Sequence, residues 1–314
     1  MMTKDSKIYI AGHRGLVGSA ILQRLQTDGY LNVITKTHQE LDLTRQADTE
    51  AFFKKEMREY IFLSAAKVGG IYANSTYPAQ FIYENLAIQT NVIHSAYLCG
   101  VKKLLFLGSA CSYPRECPQP MKEEYLLSGY LEPTNEPYAV AKIAGIKMSQ
   151  AYKKQYGINF ICAIPTNIYG PNDNFNSENS HVISALIKKI HETKEKGMQS
   201  VTIWGTGKPM REFIYVDDVA DASVFLMKHY DGSEIINIGS GEEISIRELA
   251  FCIKEIVRFE GDIIFDTSKP DGSPRKSLDI TRLKKVGWQA KTPLRDGLKK
   301  TYEWYLKHTN KCIQ

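Results

Sequence analysis

Tyr138 and Lys142 stand four residues apart in YAVAK, so on a helix the phenol and the ammonium lie one turn apart on the same face. An ammonium there favours the phenolate and lowers a pKa that is otherwise about 10. That suits Tyr138 to donate a proton to a carbonyl oxygen during hydride delivery. The same spacing arises in any amphipathic helix with a core tyrosine and a surface lysine, so the pair needs company. A second stretch, LFLGSACSYPRECPQP from Leu105, starts as a buried strand and ends in a proline-rich loop. The change falls on Ser109, Ala110 and Cys111, which leaves a hydroxyl and a thiol two residues apart at the mouth of a strand.

The company comes from Gly12-His13-Arg14-Gly15-Leu16-Val17-Gly18, between the apolar run IYIA and an amphipathic stretch. Glycines between a strand and a helix permit a tight turn and bring backbone N–H groups close to a pyrophosphate at the helix N-terminus. The spacing is GxxGxxG, which in this context predicts dinucleotide binding. An NAD site of this kind carries an acidic residue at the end of the second strand for the ribose 2′-OH. Here that strand, NVIT, is followed by Lys36, and Glu40 falls past it, where it can serve a local turn. Arg14 and Lys36 together can hold a 2′-phosphate, so NADP(H) is expected over NAD(H). If both were only solvated cations, the two cofactors would bind equally.

Positioning these groups requires a scaffold, and the hydrophobic pattern supplies one. From Lys7 to Pro165 short apolar runs (IYIAG, NVIT, YIFLSAA, KLLFLGS, NFICAIP) alternate with amphipathic stretches at Leu16–Asp28, Asp48–Met57, Phe81–Leu98 and Tyr138–Tyr156. Such alternation predicts an α/β fold with a Rossmann-like, doubly wound parallel sheet covered on both faces. Beyond Gly170 the regularity fails at the loop PNDNFNSENS. The expected division is a cofactor-binding domain over 1–170, joined by a returning segment at about 212–240, and a smaller α/β substrate-binding domain over most of 171–314.

Composition narrows the partners. The chain of 314 residues has no apolar segment approaching the roughly 20 residues of a membrane span, and its start lacks the pattern of a signal peptide. A cytoplasmic protein is expected. Six scattered cysteines without CxxC or Cys/His ligand spacing suggest reduced thiols and no metal site. A net charge of +5 with dispersed Lys and Arg argues against a nucleic-acid surface.

The order of glycine loop, serine at the end of the fourth strand and YxxxK on the next long helix resembles the extended short-chain dehydrogenase/reductase family. Within it, AGHRGLVGSA, AAKVGGI, NSTYPAQFIYENL, YPRECPQPMKEEYLLSGYLEPTNEPYAVAKIAGIK, PTNIYGPNDNF, SHVI and WGTGKPMREFIYVDD are similar to the GDP-L-fucose synthase group. The likeness continues through KPDGSPRKSLD and TPLRDGLKKTYEWY, nearly the whole chain. It implies NADPH-dependent 3,5-epimerisation and 4-keto reduction of GDP-4-keto-6-deoxy-D-mannose. By the same resemblance Ser109 orients the carbonyl, Tyr138 protonates it, and Lys142 holds the nicotinamide ribose.

In a 4-keto sugar both C3 and C5 lie alpha to the carbonyl, so their protons can be removed once the enolate oxygen is stabilised. The resemblance makes Cys111 the base and His181 the acid of that exchange. It places the backbone of Leu107, Gly108, Ser109 and Ala110, that of Pro165, Thr166, Asn167 and Ile168, and His181 along the cofactor. Lys189, Trp204, Arg211 and Asp271 fall around the nucleotide-sugar, Arg211 being the best diphosphate clamp, while a core Trp204 is an equal prospect. A homodimer through the helices at Phe81–Leu98 and Tyr138–Tyr156 is also implied. A GDP-4-keto-6-deoxy-heptose substrate, C4 reduction without epimerisation, or a non-catalytic NADP sensor remain the alternatives.

Overall fold

Apolar runs such as Ile8–Ala11 and Tyr60–Leu63 are buried at every position, as strands covered on both faces must be. The computed structural model describes residues 2–175, 180–269 and 271–309, so Cys312 lies outside the described residues. The chain runs β1 (Ile8–Ala11), α1 (Leu16–Thr27), β2 (Val33–Lys36), α2 (Gln46–Glu56), β3 (Tyr60–Leu63), α3 (Ile71–Thr76), α4 (Pro78–Leu98), β4 (Lys103–Leu107), α5 (Glu136–Tyr156) and β5 (Asn159–Pro165). There follow β6 (Asn167–Tyr169), α6 (Val182–Glu195), β7 (Ser200–Trp204), β8 (Met210–Tyr215), α7 (Val216–His229) and β9 (Ile236–Ile238). The last elements are β10 (Glu243–Ser245), α8 (Ile246–Val257), β11 (Asp262–Asp266), β12 (Arg275–Lys276), α9 (Thr281–Val286) and α10 (Leu294–Thr309).

A six-stranded sheet has the order β2-β1-β3-β4-β5-β9, with every neighbouring pair parallel. Alternate residues of one strand face opposite cores. Ile8, Ile10 and Phe62 meet α1 and α7 residues such as Ile21 and Val219, whereas Tyr9, Ile61 and Phe106 meet Val92 and Ile146 of α4 and α5. The sheet is therefore doubly wound, as the alternating pattern predicts. Its strand order reverses between β1 and β3, and in such sheets ligands bind at the carboxyl ends of the strands beside that reversal.

The remaining strands make a sheet ordered β10-β8-β12, with β6 also on β8, and a pair β11-β7. They share a third core with α6, α8 and α10 through residues such as Ile187, Phe213, Leu249 and Leu298. Glu212 of β8 is wholly buried and accepts from the N–H groups of Gly241 at 2.8 Å and Leu278 at 2.7 Å. Its backbone carbonyl takes Thr166 Oγ1 at 3.3 Å and Asn167 Nδ2 at 2.8 Å. The end of β5 is thus tied to the strand that carries Arg211. Among the described residues no helix is long and apolar enough to cross a membrane.

Candidate active site

The cofactor candidates fall on one edge. Gly12 follows β1, Lys36 ends β2, Leu107 ends β4 and Pro165 ends β5, all at carboxyl ends of the parallel sheet. Gly12 has φ +87°, and a Cβ there would stand 2.6 Å from the Ala65 nitrogen, so only glycine fits. A Cβ on Gly18 would strike the Gly12 carbonyl, so the start of α1 presses directly on the loop. At Gly15 a Cβ would meet nothing nearer than that carbonyl, at 3.5 Å. This glycine leaves room for a ligand.

Gly15 caps α1 without a side-chain hydrogen bond, which leaves the first-turn N–H groups of Leu16 and Val17 for an anion. Beside them His13 Nδ1 is buried with no partner among the described residues, and burial holds its imidazole below the usual range. A neutral ring with an unpaired nitrogen, an open glycine and an uncapped helix start fit a dinucleotide. Glu40 accepts the Thr37 N–H at 2.8 Å and so serves the local turn. Lys36 Nζ lies 3.6 Å from Glu40 Oε1, while Arg14 is exposed and makes no ion pair among the described residues.

Ser109 and Cys111 owe their spacing to a single turn. Ser109 caps a 3-10 turn over Ala110–Ser112, its Oγ accepting the Cys111 N–H at 3.3 Å. Hydroxyl and thiol are held together at the end of β4. Burial raises the Tyr138 phenol above its ordinary range, the Cys111 charge adds to this, and a hydrogen bond with Ser109 opposes it. The Tyr138 ring rests edge-on against Phe81 with centroids 6.2 Å apart.

Lys142 departs from expectation. Its Nζ donates to the Leu107 carbonyl at 3.0 Å and lies 5.9 Å from the centre of the Tyr138 ring. Burial lowers its own pKa to about 8. The lysine does not depress the phenol here: burial governs Tyr138, and what opposes it is the hydrogen bond with Ser109. Tyr138 is held protonated, as a proton donor must be.

His181 caps α6, and its Nδ1 sits 3.2 Å from Asp173 Oδ1. Asp173 is buried and also receives the Ser184 hydroxyl and, at 2.9 Å, the Asn174 N–H. The hydrogen bond to Asp173 raises the His181 pKa against the opposing effect of burial. His181 therefore keeps its proton to higher pH than a free imidazole. Asp173→Asn should move the alkaline fall of any step that needs protonated His181 to lower pH, because the hydrogen bond and the charge that raise its pKa are weakened or lost. The pH profile of kcat reads this directly, and an unmoved limb would disconnect Asp173 from the acid.

Arg211 Nη1 donates to the carbonyls of Met210 and Ser273, each at 2.7 Å, which fixes the guanidinium. Asp271 accepts from Thr206 N–H at 2.9 Å and Oγ1 at 2.6 Å. That hydrogen bonding holds its carboxyl below the usual range, with Lys208 and Arg211 adding to it. Trp204 is 69% exposed, with Lys269 Nζ 5.7 Å from its ring centre. The core reading of this tryptophan is excluded, and it offers a flat face to solvent. Lys189 is exposed on α6, about 12 Å along the helix from His181 at its rise per residue, so the structure does not bring it to the proton-transfer groups.

Two neighbours of the site escaped the sequence reading. Asp173 lies in the loop before α6 and carries no spacing rule that links it to His181. Asn135, whose Nδ2 donates to Cys111 Sγ at 3.2 Å, stands where a sequence reader would assign a helix cap.

The family described as "NAD dependent epimerase/dehydratase family" matches residues 8–239. The chain is 61% identical over 308 residues to GDP-L-fucose synthase 1 of Arabidopsis thaliana, covering 98% of this chain and 95% of that protein. A GDP-6-OMe-4-keto-L-xylo-heptose reductase from C. jejuni superposes with a TM-score of 0.92 at 41% identity, over 98% of this chain and 99% of that one. A GDP-L-fucose synthetase from Naegleria fowleri bound to NADP gives 0.91 at 28% identity, over 99% and 97%.

Proposed function

We propose that the chain, which belongs to the NAD dependent epimerase/dehydratase family, converts GDP-4-keto-6-deoxy-D-mannose to GDP-L-fucose. It inverts C3 and C5 and reduces C4 with NADPH. The observation that carries this reading is the single turn that ties Cys111 to Ser109 and puts it within electrostatic reach of the Tyr138 phenol. A reductase needs the serine and the tyrosine; the thiol supplies the base that reduction alone does not require.

Cys111 takes the proton alpha to the ketone, at C3 and at C5, while Ser109 and Tyr138 hold the enolate oxygen. His181, kept protonated by Asp173, returns a proton to the opposite face. Each inversion leaves the sulfur protonated and the imidazole neutral, so both reset through solvent before the next. NADPH, when bound, supplies the hydride to C4. Tyr138, held neutral by burial, protonates the C4 oxygen, and Lys142, charged below a pKa of about 8, offsets the phenolate left behind.

Arg14 and Lys36 would take the 2′-phosphate of NADP(H), and Arg14→Ala should raise the Kd for NADPH about tenfold, the worth of one charge-assisted hydrogen bond. The Kd for NADH should not move; equal losses for both cofactors would remove Arg14 from the phosphate site. Arg211, Asp271 and Trp204, with Lys189 further along α6, form the GDP-sugar side of the reading. Exposed Tyr83, Leu98, Val140 and Tyr156 on α4 and α5 support a homodimer through those helices. A cytoplasmic setting and a substrate domain over most of 171–314, with 212–240 returning to the cofactor domain, complete it.

The C. jejuni likeness keeps a heptose in contention. Comparing kcat/KM for GDP-4-keto-6-deoxy-D-mannose and the corresponding 6-deoxy-heptose nucleotide decides between them. Preference for the hexose is expected, in line with the 61% identity to the Arabidopsis enzyme; preference for the heptose would replace the substrate and leave the chemistry.

A further inference from the structure

Asn135 is the N-cap of α5, three residues before Tyr138, and asparagine is among the best residues for that task because its oxygen accepts a first-turn N–H. Its side chain makes no such bond. The amide instead turns to Cys111, with Nδ2 3.2 Å from the sulfur, and its Oδ1 is buried without a partner among the described residues. The residue forgoes a cap and leaves an acceptor unpaired in order to point a donor at sulfur. A thiolate accepts and cannot donate, so a donor at this distance suits a sulfur that takes up a proton. The turn is fixed from behind: the Asn135 N–H donates to the Glu132 carbonyl at 3.1 Å, and Glu132 Oε2 lies 3.5 Å from Arg115 Nε.

We propose that Asn135 is a positioning residue for Cys111, its amide N–H holding the sulfur as the thiolate that removes the sugar proton. The inference rests on the epimerase reading, and Asn135 acts through the sulfur of Cys111, not on the sugar. It also gives the start of α5 a double use, since the turn that presents Tyr138 to the C4 oxygen presents a donor to the base.

Asn135→Asp is the decisive variant. Aspartate is an equally good N-cap and places negative charge at a helix start, so a loss cannot be charged to fraying of α5, while the sulfur loses its donor and meets a carboxylate. Alkylation of Cys111 by iodoacetamide at pH 7, followed by peptide mass mapping, should slow about tenfold or more, as expected for losing one hydrogen bond to a charged group. Wash-in of solvent deuterium at C3 and C5 should slow by a similar factor in kcat with KM little changed. Asn135→Ser, which restores a donor, should recover part of both. Unchanged alkylation in Asn135→Asp would overturn the proposal, and so would slowed alkylation with wash-in at the parent rate. The alkylation needs no turnover, so it reports on Asn135 separately from the epimerase reading, which fails if Cys111→Ser washes in deuterium as fast as the parent.

Discussion

Cys111→Ser should lose solvent-deuterium uptake at C3 and C5 by two to four orders of magnitude, about the full contribution of a positioned general base. Serine preserves the local geometry. The bond that sets the turn runs from the residue's backbone N–H to Ser109 Oγ and is indifferent to the side chain, and Asn135 can donate to oxygen as it does to sulfur. What changes is ionisation, since a hydroxyl is not charged at neutral pH where a thiol can be. Cofactor affinity should hold, because among the described residues no hydrogen bond joins Cys111 to the glycine loop. Uptake at the parent rate would take Cys111 out of the base role.

Tyr138→Phe removes one oxygen and should cost C4 reduction about 10²–10⁴-fold in kcat, the range for loss of a general acid. The ring is retained, so the edge-on contact with Phe81 and the packing of α5 should survive. NADPH binding should change little, since the glycine loop Gly12–Gly18 and Lys36 are unaltered in this variant. Reduction within a few-fold of the parent would mean that another group protonates the C4 oxygen. The two variants differ in their signature: the first stops inversion at C3 and C5, whereas the second stops reduction at C4 and, because Tyr138 also holds the enolate oxygen, slows inversion as well.

Much of this site was legible because it rests on local constraints. Gly12 and Gly18 must be glycine where the loop and α1 meet at van der Waals contact, and a close approach of that kind leaves its mark in the sequence. Glu40 could be assigned to a turn because it falls past the second strand, and in the structure its carboxylate accepts the Thr37 N–H. The Tyr138–Lys142 spacing put both on one face of a helix, but the consequence drawn from it was incomplete. Spacing gives direction, whereas burial sets charge: Lys142 is engaged by the Leu107 carbonyl, and the phenol is governed by desolvation.

Asp173 and Asn135 were illegible for a different reason. Each acts through one contact to a side chain that lies eight or twenty-four residues away in the chain, and no periodicity carries such pairings. Trp204 was undecided in the sequence because a tryptophan at a strand end reads equally as core or surface. Its exposure at the end of β7 resolves the matter.

The most direct test is turnover of GDP-4-keto-6-deoxy-D-mannose with NADPH in D₂O, with the product sugar identified by NMR. The account predicts a fucose carrying deuterium at both C3 and C5 and none delivered from solvent to C4, where the hydride comes from the cofactor. A C4-reduced sugar with C3 and C5 unlabelled and uninverted would contradict it, and would reduce Cys111, His181 and Asp173 to bystanders of a plain ketoreductase.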